Sequence, residues 1–136
     1  MTSFSRSSVR FLFLSLVVPA LAIVIASGPG LAQVPLRQYD TTLKQMLDAI
    51  QSKSYDKFVA DGDDRFKAGF TPKMFEDLAR QLGSRLQQGY SLRFLTTLNQ
   101  LDYVVYVWKI TFKDAKDDIL LTLFIKDGSV SGFVPR

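Results

Sequence analysis

Asp102, Tyr106 and Trp108 lie at even spacing in the run DYVVYVWKITF, so in an extended strand they share one face. A carboxylate kept dry beside a hydrogen-bond donor can move a proton at carbon, because burial raises its pKa and makes it a competent base. Tyr90 joins the three from the neighbouring strand, and together they form the candidate lining of a ligand pocket, with polar tips on apolar rings. The competing reading is structural. Aromatic residues at strand period ordinarily fill a core, and an Asp at the start of a strand, next to a turn, is ordinarily half exposed. No residue is therefore assigned a catalytic role. A carboxylate-dependent isomerase- or lyase-like enzyme with Asp102 as base stands as the alternative to a non-enzymatic binding domain.

Most other chemistry is excluded by what the chain lacks. It contains no His and no Cys, which removes the commonest general base, the commonest metal ligand and the thiol nucleophile together. No Gly-rich phosphate motif occurs, and no cofactor is expected. Asp61-Gly62-Asp63-Asp64 has the composition of a calcium loop but not its alternating ligand spacing or distal Glu, so it reads as a solvated turn. Asp114, Asp117 and Asp118 read the same way at a hairpin end, and no metal site is expected.

These residues must be held by a small domain. The first 32 residues carry Arg6 and Arg10, then an apolar stretch from Phe11 to Ala26, then Gly30-Leu31-Ala32. That is the pattern of a signal peptide cleaved after Ala32, leaving a linker over 33–38 and one domain over 39–136. The expected destination is periplasmic or extracellular; an uncleaved N-terminal membrane tether is the alternative, and no membrane span is expected after cleavage. The chain has 17 Lys and Arg against 13 Asp and Glu, and loss of Arg6 and Arg10 halves that excess of four. The remaining cations are scattered, so nucleic acid is not an expected partner.

Leu43, Met46, Leu47 and Ile50 recur at helical spacing, with Asp40 or Thr41 as the expected cap, and Ser54 opens a second short helix. Phe66 and Phe70 fall in a turn-rich segment. Thr71-Pro72 starts a third helix, which Gly83 is expected to end. The period then changes to two, and strands are expected over Ser91–Leu98, Asp102–Lys113, Ile119–Lys126 and Ser129–Val134, with turns at Asn99-Gln100, Asp114-Ala115-Lys116 and Asp127-Gly128. Links this short cannot make parallel crossovers, so the fold is α+β: N-terminal helices packed on a four-stranded antiparallel sheet. Alternation turns Val104, Tyr106, Trp108, Ile110 and Phe112 toward the helices, with Tyr90, Leu92, Phe94 and Leu98 beside them. It leaves Leu95, Val105, Val107 and Phe124 outside as interface candidates, for homodimerisation through the outer sheet face. A small apolar ligand or a protein is the other expected partner.

The order of helices, TPKMFEDLARQLG, VVYVWKITF and ILLTLFIKDGSVSGF resembles an uncharacterised secreted family of the nuclear transport factor 2-like, cystatin-like superfamily. The resemblance covers Tyr39 to Val134. It implies a curved sheet wrapped round helices as a cone, whose interior offers a pocket. Some enzymes of that superfamily use an Asp base and a Tyr donor inside the cone, and the resemblance carries that role to Asp102 and Tyr106. Its motifs speak for fold far more than for activity.

Overall fold

The computed structural model describes residues 33–136, with side chains from residue 36 onward; the expected leader over 1–32 lies outside the described residues. Four helices come first: α1 (Gln33–Gln51), α2 (Tyr55–Val59), α3 (Asp64–Gly69) and α4 (Pro72–Gln87). Four strands follow: β1 (Tyr90–Gln100), β2 (Tyr103–Phe112), β3 (Ile119–Lys126) and β4 (Ser129–Pro135). Among the described residues no helix is long and apolar enough to cross a membrane.

Helix α1 starts earlier than its apolar spacing suggests, so 33–38 is helix rather than linker and neither Asp40 nor Thr41 caps it. Pro35 permits this because it stands in the first turn, where a backbone N–H has no helical partner to lose. The Thr41 hydroxyl instead donates to the Arg37 carbonyl within the helix at 3.0 Å. The Phe66 to Phe70 segment is also helical: the Asp63 carboxylate caps α3 by accepting the Phe66 N–H at 2.7 Å. Thr71 does the same for α4, accepting the Met74 N–H at 3.2 Å, with Pro72 at the first position.

Gly83 does not end α4. The helix runs through it to Gln87, and the left-handed residue that stops it is Gly89, at φ 108°. Gly83 is buried, and a Cβ there would meet nothing nearer than the Ile50 carbonyl oxygen at 4.0 Å. Packing therefore leaves room for a methyl group, and Gly83→Ala is expected to raise stability by about 0.5–1 kcal/mol in urea unfolding. A lowered midpoint would mean that α1 and α4 approach too closely for any side chain there.

The sheet is an antiparallel meander in the order β1-β2-β3-β4. Its inner face buries Tyr106, Trp108, Ile110, Phe112, Leu121, Leu123 and Ile125 against Leu43, Met46, Leu47 and Ile50 of α1 and Phe75, Leu78 and Leu82 of α4. Phe58 ties the far end together, with its ring 5.0 Å from Phe70, 5.2 Å from Phe75 and 5.3 Å from Phe133. The register shifts at Leu95, between Phe94↔Trp108 and Thr96↔Val107. That bulge corrects one expected orientation, because it moves Leu98 off the helix-facing side to stand opposite Val105.

Candidate functional site

The four pocket candidates do not come together around a space. Strand β2 begins at Tyr103, and Leu101, at φ 53°, makes the turn, so Asp102 sits in the β1–β2 loop rather than on the inner face. Its side chain is 80% exposed and lies 3.5 Å from the Lys126 ammonium. Solvent keeps the carboxylate there, because burying it unpaired beside Tyr106 would cost several kcal/mol, roughly, in lost hydration. The arrangement of a dry Asp base beside a Tyr donor is thus absent. Tyr106 is buried, its ring 4.7 Å from that of Tyr39 and 6.0 Å from that of Trp108. Burial, and secondarily Tyr39, push its phenol pKa up, and burial does the same to half-buried Tyr90.

Trp108 is fully buried, edge-on to Phe94 at 5.7 Å, and its indole Nε1 has no hydrogen-bond partner among the described residues. Leu43, Leu47, Ile50, Leu121 and Leu123 around it are likewise at 0% exposure, which leaves no water-sized space against any of these side chains. The cone interior is filled.

The clefts lie elsewhere. One, about 770 Å³, runs between α1 and α4 over Ile50, Phe75, Ala79 and Gly83, with Lys53, Lys73, Glu76 and Arg80 on its rim. A second, about 570 Å³, lies between α1 and the β3–β4 turn, with Thr42, Asp61, Gly62, Gly128 and Ser129 among its walls. There the Asp61-Gly62-Asp63 segment is stitched to β4: the Asp63 N–H donates to the Val130 carbonyl and the Val130 N–H to the Asp61 carbonyl, each at 2.9 Å. Among the described residues, no cluster of three or more acids stands where it could hold a metal ion.

Asp63 is the residue of this segment with a defined task that sequence reading missed. Besides capping α3, its carboxylate accepts a short hydrogen bond from the Ser131 hydroxyl. The Ser131 hydroxyl first, and then the Phe66 amide, hold its pKa below the usual 3.8. A carboxylate with a depressed folded-state pKa stabilises the fold above its unfolded value and loses that contribution as pH falls through the folded one. Asp63→Asn is therefore expected to cost about 1–2 kcal/mol at neutral pH and to flatten the decline in stability below about pH 4. Urea titrations across pH would check it; parallel acid limbs in both proteins would exclude the role.

Among the described residues no helix covers the outer sheet face, and its side chains form rows across the strands. Leu98, Val105, Phe124 and Gly132 make one row, and Thr96, Val107, Thr122 and Val134 the next. On one side stand Arg93, Lys109, Leu120 and Arg136, and on the other Gln100, Tyr103, Lys126 and Ser129. The interface candidates fare unequally. Val105 is 2% exposed and offers almost no contact area, because it is enclosed by cross-strand neighbours. Val107 and Phe124 are half buried, Leu95 is exposed at the bulge, Leu120 is exposed on the face where parity puts it, and Leu98 is an exposed large apolar residue that parity alone puts on the other face. Lys109 holds Asp118 at 2.7 Å, which depresses the Asp118 pKa.

Helices followed by an open four-stranded antiparallel meander define the class as α+β. No family model matches the chain, and no curated protein matches it. Among solved structures it is similar to an uncharacterized cystatin fold protein from Novosphingobium aromaticivorans, at 15% identity and a TM-score of 0.40, over 71% of this chain and 95% of that one.

Proposed function

We propose that this is an exported, non-enzymatic binding domain, periplasmic or extracellular, that engages another protein through the outer face of its sheet. The observation that carries the reading is the contrast between the two faces. The inner face, where a substrate would sit, is packed to zero exposure at Trp108, whereas the outer face presents half-buried and exposed apolar side chains. Arg93, Lys109, Lys126 and Arg136 flank those rows, with Lys109 paired to Asp118 and Lys126 to Asp102. The fitting partner is therefore apolar at its centre and acidic at its rim. The same rim charges work against two copies meeting face to face.

A photo-crosslinking residue at Leu120 tests this in the exporting cell. The expected result is a discrete adduct with another protein, absent when the probe is placed at Glu76 on the helical side and weakened by Lys109→Glu. Failure of any adduct, or one indifferent to that charge reversal, would overturn the outer-face reading. N-terminal sequencing of the exported product is expected to begin at Gln33; a start at Met1 in the membrane fraction would favour the tether.

A further inference from the structure

Strand β1 is the first of the sheet and lies at its edge. It is 11 residues long, and outside its ladder with β2 no backbone group from Ser91 to Gln100 has a backbone partner among the described residues. Edges of this length are ordinarily guarded by Lys, Pro, Gly or an inward charge, because a row of free N–H and C=O groups recruits another strand. From Phe94 to Leu101 the sequence is FLTTLNQL, with no charge, no Pro and no Gly. The guard in this segment is the bulge at Leu95, which divides the regular ladder of β1 into Tyr90–Phe94 and Thr96–Gln100. Exposed apolar side chains gather here too: Leu95, Leu98, Leu101 and Val104 are four of the six large ones among the described residues, and Leu101 is 99% exposed.

We infer that β1 pairs edge to edge and antiparallel with β1 of a second copy, about Leu98, joining the two sheets into one of eight strands. The segment is self-complementary. A charge-free centre separates Arg93 at one end from Asp102 at the other, so an antiparallel two-fold arrangement brings each Arg93 toward the partner's Asp102, whereas a parallel one sets like against like. Side chains alternate between faces, so paired residues must share parity and the axis must pass through a residue rather than between two. Leu98 is the centre of the second, charge-free stretch, Thr96–Gln100. Leu98 then meets Leu98, Thr97 meets Asn99 and Thr96 meets Gln100, with no buried charge in any pair. This inference does not depend on the outer-face reading, and it places two outer faces side by side on one continuous surface.

The chain has no cysteine, which makes a cross-linking test clean. Across an antiparallel edge the two Leu98 Cα atoms stand about 4.5–5.5 Å apart, within disulfide reach. Sheets stacked face to face lie about 10 Å apart, too far for that bond. Leu98→Cys is expected to form a covalent dimer under mild oxidation, and Leu120→Cys is not. By sedimentation equilibrium, Arg93→Glu and Asp102→Arg are each expected to weaken association about tenfold, since two symmetry-related contacts turn repulsive together, and the double variant to recover most of it. Both positions are exposed, so the fold is not at risk. A wild-type chain that stays monomeric at high micromolar concentration would overturn the inference. So would cross-linking through Leu120→Cys but not Leu98→Cys, which places the contact away from this edge, or single reversals without effect.

Discussion

Trp108→Ala is expected to destabilise the domain by about 3–5 kcal/mol, which in a domain of this size lowers Tm by about 15–30 °C. The indole is fully buried at the centre of the inner sheet face, between Tyr106 and Phe94 and among side chains with no exposure of their own. Truncation leaves a cavity that such neighbours cannot collapse to fill. Trp108→Phe should cost clearly less. The indole N–H it removes has no partner among the described residues, so the loss of ring volume is partly offset by relief of an unsatisfied buried donor. Thermal unfolding of the three proteins checks both statements. A Trp108→Ala protein with near wild-type Tm would mean that the ring lines an open space, and would return the cone interior to candidacy as a ligand pocket.

Gly62→Ala is expected to cost about 2–3 kcal/mol, although it adds only a methyl group in an exposed-looking acidic turn. A Cβ at that position would lie 2.5 Å from Phe66 Cδ1 and 3.0 Å from the Val59 carbonyl oxygen. Neither can give way easily. The Phe66 ring is wedged between Phe58 at 6.1 Å and Phe70 at 5.5 Å, and the Val59 oxygen belongs to the backbone of α2. The clash would also loosen the bridge between Gly62 and Val130 that anchors this segment to β4. Gly69→Ala is the control, since a Cβ there meets nothing within 4 Å. Equal urea midpoints for Gly62→Ala and wild type would show that the turn is free of the core and reopen it as a ligand loop.

The two substitutions bear on function because they separate packing from binding. Both sites drew attention for their chemistry, an aromatic lining and an acidic loop, and at both the structure gives the residues mechanical work. The outer face and the free edge of β1 carry no such packing role, and the two proposed protein contacts rest on them.

Much of the fold was legible in the residues themselves. The stripe of Leu43, Met46, Leu47 and Ile50, the Thr71-Pro72 start and the period-two runs after Tyr90 each encode a local preference that the core then reinforces, so all the helices but α3, the four strands and their antiparallel order follow from pattern alone. Tertiary structure settled what local pattern leaves degenerate. Gly83 reads as a stop until its surroundings show a helix continuing past it, because the pairing of α1 with α4 outweighs the cost of one glycine. The bulge at Leu95 leaves no mark in the alternation, yet it reverses the side on which Leu98 stands. Asp102 is inward by parity and outward in space because one left-handed residue, Leu101, ends the strand before it. Whether the cone is hollow or filled depends on how side-chain volumes from α1, α4 and the sheet sum across long sequence separations, and no periodicity carries that information.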